Sequence, residues 1–180
     1  MAPTRTGSFP IGFRRGGGWQ KDLDAVIRFA GESGFAGIDI GQEDDKGLKK
    51  ITDAKLRIGT VDLSSWGGLA SPDAGKRKAA AQANAEYANM AAKYGVKNYF
   101  ALILPEDQSR SRAENFKFAV DGYQQLCEAR GKVKARIVIE GWPGPDPVLP
   151  AIACTPADYR AFLKELPEAT AGVNYDPSHM

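Results

Sequence analysis

The sequence predicts an α/β fold in which short strands alternate with longer helices. Five βα units followed by a sixth strand can be traced between Phe9 and Tyr175. The stretch 137–139 is apolar without alternation, which is typical of parallel strands buried on both faces. No linker or low-complexity segment interrupts this order, so we interpret residues 1–180 as one domain. Two architectures fit equally well at this point, an open doubly wound sheet and a (β/α)₈ barrel.

The predicted elements are bounded by turn and capping residues. Strands are predicted at 9–13, 37–40, 56–63, 99–104, 136–140 and 171–175, and helices at 20–33, 45–52, 72–94, 111–130 and 156–166. Segment 64–70 is predicted to be a loop. Ser71 followed by Pro72 predicts the start of the third helix, and Thr155 with Asp158 predicts a capping box at the start of the fifth.

Composition and charge narrow the classes of function. The formal net charge of the 180 residues is +2, which gives no electrostatic reason to expect a nucleic-acid or membrane partner. No apolar run is long enough to span a bilayer, and no secretory signal is recognisable. Cys127 and Cys154 form no CxxC pair, so we expect reduced thiols in a cytoplasmic protein. The glycines 16–18 do not form the GxGxxG pattern of a dinucleotide site.

Polar side chains follow several predicted strands where both architectures place function, at the carboxyl ends. The first strand delivers Arg14 and Arg15, and either could be a solvated surface residue. The second and third strands deliver Asp39 and Asp62, and Trp66 follows the third.

Glu140 and Asp176 end the fifth and sixth predicted strands. If these strands are neighbours, about 4.8 Å apart, two converging carboxylates would repel each other unless a divalent cation used both as oxygen ligands. His179 follows closely and could reach a bound substrate. Each of these residues also has a structural explanation. Acids at strand ends often cap helices or are solvated, and a histidine near a terminus is often exposed. Trp66 and Trp142 could be packing residues.

The segments IVIEGWPGP (137–145) and GVNYDPSHM (172–180), together with the βα order, resemble the xylose isomerase-like TIM-barrel superfamily. The likeness is greatest to its sugar isomerase/epimerase branch, which includes sugar phosphate enzymes. Endonuclease IV is a more distant relative. The resemblance favours a (β/α)₈ barrel over the doubly wound sheet. It implies an incomplete barrel here, with about six strands and five helices, which lacks the last two βα units.

The resemblance also implies roles for individual residues. Glu140 and Asp176 would bind a divalent metal cation (Mn²⁺, Mg²⁺, Co²⁺ or Zn²⁺), and Glu140 would act as a catalytic acid/base. His179 would bind substrate, with Trp66 and Trp142 beside it. The reaction would be proton transfer next to the carbonyl of a keto-sugar or sugar phosphate, through an enediolate stabilised by the metal.

The family's remaining metal ligands, a histidine and a glutamate from the seventh and eighth strands, have no counterpart in this sequence. We therefore expect this chain to be an inactive fragment whose exposed edges could pair in a homo-oligomer. Two alternatives stay open. One is a metal-dependent phosphodiesterase of the endonuclease IV type, which the single histidine of the sequence disfavours. The other is a non-catalytic half-barrel completed by another chain.

Overall fold

In the computed structural model, which describes residues 9–131, 133–142 and 152–176, six parallel strands form one sheet in sequence order. The strands are β1 (Gly12–Arg14), β2 (Gly37–Ile40), β3 (Arg57–Asp62), β4 (Asn98–Leu102), β5 (Arg136–Glu140) and β6 (Ala171–Val173). Each strand pairs with the next in parallel. The order never reverses, which excludes the doubly wound alternative. The predicted partial (β/α)₈ barrel is confirmed.

The described ranges contain six α-helices and two short 3₁₀ turns, at Gly18–Lys21 and Ala92–Tyr94. The α-helices are α1 (Leu23–Glu32), α2 (Asp45–Asp53), α3 (Trp66–Leu69), α4 (Ala74–Ala91), α5 (Arg112–Ala129) and α6 (Pro156–Lys164). The single turn α3 lies in a segment that the sequence predicted to be a loop, and it accounts for the sixth helix. Among these helices, none combines the length and apolarity required to cross a membrane.

The two faces of the sheet carry different side chains because strand residues alternate. On the helix side, Tyr99, Ala101 and Ile139 join the large core formed with the helices. On the opposite, inner face, Phe100, Leu102 and Val138 form a second, small cluster. We call this second group the inner cluster. It forms the floor beneath the carboxyl ends of β4 and β5.

Two helix starts test the capping predictions. Thr155 and Asp158 form the predicted capping box of α6, with Pro156 in the first turn. The prediction for α4 is wrong, because its N-cap is Asp73, whose carboxylate accepts hydrogen bonds from two backbone N–H groups of the first turn. Ser71 instead accepts from the N–H of Asp73 and donates to Glu106. Its hydroxyl therefore holds the preceding turn rather than the helix.

The first strand is also displaced from its prediction. It spans Gly12–Arg14 rather than 9–13, and Phe9 is 79% exposed. Register with β2 pairs Gly12 with Gly37 and Arg14 with Asp39. Arg14 is therefore the last residue of the strand, on the same face as Gly12. The sixth strand is shorter than predicted, although the N–H of Asn174 still donates to the carbonyl of Ile139 at 2.8 Å.

Helix α5 contacts α3 through a glycine. A Cβ built on Gly122 would lie 2.9 Å from the carbonyl carbon of Leu69 and still closer to its oxygen, far inside van der Waals contact. Only a glycine allows α5 to approach this closely. Because Leu69 ends the turn that begins at Trp66, this contact also helps to position Trp66.

We therefore predict that Gly122→Ala destabilises the fold by about 1–3 kcal/mol or more, the range for overpacking a filled interior. Gly31→Ala is the matched control, since Gly31 lies in α1 and a Cβ added there would have nothing within 4 Å. It should stabilise slightly, by about 0.5 kcal/mol, because alanine favours the helix. Urea unfolding of the two variants measures both effects, and equal midpoints would contradict the close approach at Gly122.

Candidate active site

The candidate site lies on the inner face, at the carboxyl ends of the strands. Alternation places Asp62 of β3 and Glu140 of β5 on the same face as the inner cluster, since Asp62 is in register with Phe100 and Glu140 is two residues beyond Val138. Both side chains are partly buried. The pleat of a buried parallel sheet therefore collects these acids on one surface.

Glu140 is held by its neighbour on the next strand. Its Oε2 accepts a hydrogen bond from Nδ2 of Asn174 at 2.6 Å. The contact follows from register, because Ile139 pairs with Val173 and the next residues of both strands face inward. An amide donor on one carboxylate oxygen restricts the rotation of the whole group. Sequence reasoning did not single out Asn174, although its position two residues before Asp176 was a signal.

Asp176 is partly buried. If the chain continues in extended form beyond β6, Asp176 lies on the same face as Asn174, two residues earlier. That its carboxylate converges with that of Glu140 stays a prediction. His179 lies outside the described residues.

Arg14 reaches across the inner face from β1. Its Nη1 and Nη2 donate to the two carboxylate oxygens of Asp62, at 3.0 and 2.6 Å. Its guanidinium carbon lies 5.0 Å from the ring centroid of Phe100. The hydrogen bond to Asp62 raises the pKa of Arg14, burial opposes this, and the negative charges of Asp62, Asp39 and Glu140 raise it further. Arg14 is therefore a fixed component of the inner face.

Arg15 has a different role. It pairs with Glu43, and its Nε and Nη2 donate to the carbonyls of Gln20 and Lys21 at 2.7 and 2.6 Å. These contacts fasten the loop after β1 to the loop after β2. Neither arginine is merely solvated, which the sequence alone left open.

Trp66 and Trp142 both pack against the inner cluster. The ring of Trp66 meets that of Phe100 edge to face, with centroids 6.0 Å apart. Its Nε1 is buried and has no hydrogen-bond partner in the described part of the chain. Both tryptophans therefore pack at the inner face, and their contact with a substrate stays a prediction.

A buried asparagine orients the loop that carries Trp66. Asn84 of α4 is fully buried; its Oδ1 accepts from the N–H of Ser64 and its Nδ2 donates to the carbonyl of Ser64, both at 2.9 Å. The next residue, Ser65, has a left-handed backbone with φ of 53°, which costs energy in a non-glycine residue. The amide of Asn84 satisfies the loop's backbone and stabilises this turn. Sequence reasoning missed Asn84, because a polar residue in an alanine-rich helix looks exposed.

The two thiols do not contribute a nucleophile. Neither Cys127 nor Cys154 forms a disulfide, as expected. Burial raises the pKa of each, so both stay protonated near neutral pH.

The inner face carries carboxylate oxygens that could serve as ligands for a cation. Within the described residues, no group of three or more histidine, cysteine, aspartate and glutamate side chains is arranged to hold a metal ion. Glu140 and Asp176 offer carboxylate oxygens, which are the ligands preferred by hard divalent cations. These carboxylate oxygens therefore suit a hard divalent cation, and Asn174 already orients the carboxylate of Glu140.

Solved structures of several other proteins share this fold. A xylose isomerase domain protein from Alicyclobacillus acidocaldarius has a TM-score of 0.72 at 12% identity, over 91% of this chain and 62% of that one. D-Psicose 3-epimerase from Clostridium cellulolyticum, solved with D-tagatose, has a TM-score of 0.70 at 13% identity, over 92% and 62%. A family 2 AP endonuclease from Brucella melitensis has a TM-score of 0.74 at 13% identity, over 95% and 70%.

At such identities the likeness shows the fold alone, and the chain spans about three-fifths of the length of the first two structures. No curated protein sequence matches it significantly. The model of one protein family, the xylose isomerase-like TIM barrel, matches residues 16–180. Because this match covers most of the chain, and the six described strands are parallel and in barrel order, the chain belongs to the xylose isomerase-like TIM barrel family.

Proposed function

We propose that these six strands belong to a divalent-metal-dependent sugar isomerase or epimerase that transfers a proton next to a carbonyl. The observation that carries the proposal is the carboxylate of Glu140, held by Asn174 on the inner face at the end of β5. Family membership and the sugar epimerases among the structural neighbours support it. We treat residues 1–180 as one cytoplasmic domain in this proposal.

The roles of the chain's own residues follow from position and chemistry. Glu140 takes a proton from the carbon beside the carbonyl. For epimerisation, a second acid on the opposite face of the enediolate returns a proton to the same carbon; for isomerisation, a proton is returned to the neighbouring carbon. Asn174 keeps the carboxylate in one orientation during the transfer. His179 contacts a substrate oxygen, and Trp66 and Trp142 form an apolar wall against the sugar.

Glu140 and Asp176 would hold the cation. When bound, an ion such as Mn²⁺, Mg²⁺, Co²⁺ or Zn²⁺ supplies Lewis-acid stabilisation of negative charge on the enediolate oxygens. The substrate class is a keto-sugar or sugar phosphate. A homo-oligomer is part of the same proposal.

A metal-dependent phosphodiesterase is the second candidate, favoured by the similarity to the AP endonuclease structure. Such a site requires several metal ligands close together, and the described residues contain no group of three. A non-catalytic half-barrel is the third candidate. Metal binding, proton exchange and DNA hydrolysis distinguish the three candidates.

We predict that Mn²⁺ binds this chain through Glu140 and Asp176. Glu140→Gln and Asp176→Asn should each weaken binding at least about tenfold, since even residues that only support metal ligands are worth ~10–100-fold in affinity. Asp53→Asn is the matched control, because Asp53 is an exposed acid that pairs with Lys49 on α2. Electron paramagnetic resonance of free Mn²⁺ gives the affinities. Binding that is equal in wild type and both site variants would refute the metal site.

The isolated 180-residue chain should show proton exchange close to the uncatalysed background. The resemblance assigns the second proton-transfer group to a strand beyond the sixth, and one positioned acid or base contributes ~10²–10⁴-fold. Deuterium incorporation from solvent into D-tagatose and D-fructose, followed by NMR with Mn²⁺ present, measures this. Metal-dependent exchange that Glu140→Gln abolishes would contradict the expected inactivity and would support the role of Glu140. Hydrolysis of abasic-site DNA would favour the phosphodiesterase instead.

A further inference from the structure

A cavity of about 600 Å³ opens at the amino ends of β4, β5 and β6, the end of the sheet opposite the candidate active site. Arg136, in the lining of this cavity, is the first residue of β5, whereas Glu140 is the last. In an extended strand these two residues lie about 13 Å apart. The volume falls within the range of ~300–1,000 Å³ that is typical of sites for small molecules. The cavity is therefore a second candidate binding site, separate from the one at the carboxyl ends.

Positive charge is concentrated around this cavity. Four cations line it, Lys97, Arg130, Lys134 and Arg136, and among the described lining residues the one acid is Glu168. The local formal charge is therefore +3, which exceeds the +2 of the whole chain. Like charges held close together repel each other, so an anion that binds among them removes an unfavourable interaction.

Three of these cations are not neutralised by neighbouring acids. Lys97, Lys134 and Arg136 are exposed, and in the part of the chain that the structure describes their side chains form no salt bridge. Their N–H donors therefore remain available to a ligand.

Arg130 has a structural role that the other three cations lack. It is the C-cap residue of α5, where a cation is favourable because the helix dipole is negative at that end. Its Nη1 donates to the carbonyls of Val133 and Ala135. The end of a helix thus accounts for Arg130 alone, since the other three cations lie at or just before the starts of β4 and β5.

The backbone that carries the cations is fixed by hydrogen bonds between the strand starts. The N–H of Arg136 donates to the carbonyl of Lys97 at 2.7 Å, and the N–H of Ile137 donates to the carbonyl of Thr170 at 2.9 Å. Ala135 and Thr170, which also line the cavity, are buried. Charges from two strands are therefore held beside one another before a ligand binds, which lowers the entropy cost of binding.

We propose that this cavity binds the phosphate group of a small phosphorylated molecule. A phosphate monoester carries a charge of about −1.5 to −2 near neutral pH, which offsets much of the local excess, and its oxygens are strong hydrogen-bond acceptors. The guanidinium of Arg136 can donate to two of these oxygens at once, and Lys97 and Lys134 add point charges. The proposal is independent of the proposed function of Glu140.

A small molecule is favoured over nucleic acid as the source of the phosphate. The whole chain carries a formal charge of only +2, and the unpaired cations surround one cavity of small-molecule size. Partly buried Val133, in the same lining, offers apolar contact to the organic part of such a ligand.

The test is isothermal titration calorimetry of the 180-residue chain with inorganic phosphate and with ribose 5-phosphate at low ionic strength. Arg136→Gln should weaken the binding of both ligands about 10–100-fold, the range for losing hydrogen bonds to a charged group. Lys134→Gln should act in the same direction, and Arg136→Lys, which keeps the charge but loses the fork, should be intermediate. Lys78→Gln is the matched control, because it removes an exposed charge from α4, and should bind as wild type does. Thermal unfolding of each variant identifies losses caused by misfolding.

NMR of the backbone amides in the wild type locates the ligand without any substitution. The signals of Ala135 and Thr170 should shift when ribose 5-phosphate is added, and those of Asp62 and Glu140 should not. Shifts at Asp62 and Glu140 alone would overturn the proposal, because the ligand would then bind at the carboxyl ends of the strands.

The calorimetry has three further outcomes that would overturn the proposal. One is that neither ligand binds, or that Lys78→Gln loses as much affinity as Arg136→Gln. Another is that inorganic phosphate binds and ribose 5-phosphate does not, which would restrict the site to the free ion. The third is that a single-stranded oligonucleotide binds more tightly than ribose 5-phosphate and loses affinity in Arg136→Gln, which would make nucleic acid the partner. Ribose 5-phosphate that binds at least as tightly as inorganic phosphate, through Arg136, would support the site.

Discussion

Side chains alternate between the two sides of each parallel strand, and this alternation sets where the core and the candidate site lie. Every second residue of a strand faces the helices, and the residues between face the inner surface. In β4 and β5 this separates Tyr99 and Ile139, in the large core, from Phe100 and Val138, in the inner cluster. Because consecutive strands are neighbours, the last inward residue of each strand reaches a common surface. The acids and Arg14 are brought together by this geometry, although they are far apart in sequence.

The carboxylates of Asp62 and Glu140 on this surface each accept hydrogen bonds from a neighbouring side chain. Asp62 accepts from the arginine fork, and Glu140 accepts from the amide of Asn174. The two partners affect the charge of their carboxylates differently. The guanidinium neutralises Asp62, whereas the neutral amide orients Glu140 without cancelling its charge.

The loops above the strands are held by buried polar contacts rather than by apolar packing alone. Asn84 satisfies both backbone groups of Ser64, and Gly122 lets α5 approach the carbonyl of Leu69. Together they position the short turn α3, which starts at Trp66. A loop over a site gains a defined shape in this way, because its backbone groups are paired with partners that cannot move.

The sequence alone predicts the βα order, the parallel sheet and the strand-end positions of Glu140 and Asp62, because these follow from local apolar periodicity and turn residues. It also identified the capping box at Thr155, whose partners are three residues apart. It misplaced β1 and the start of α4, and it missed α3, Asn84 and the partner of Arg14. Each of these depends on residues distant in the chain: Arg14 and Asp62 are 48 positions apart, and Asn84 lies 20 positions from Ser64. Only the packed sheet and its helices decide such contacts, because the energy of a buried polar group depends on which partner the fold brings within hydrogen-bonding distance.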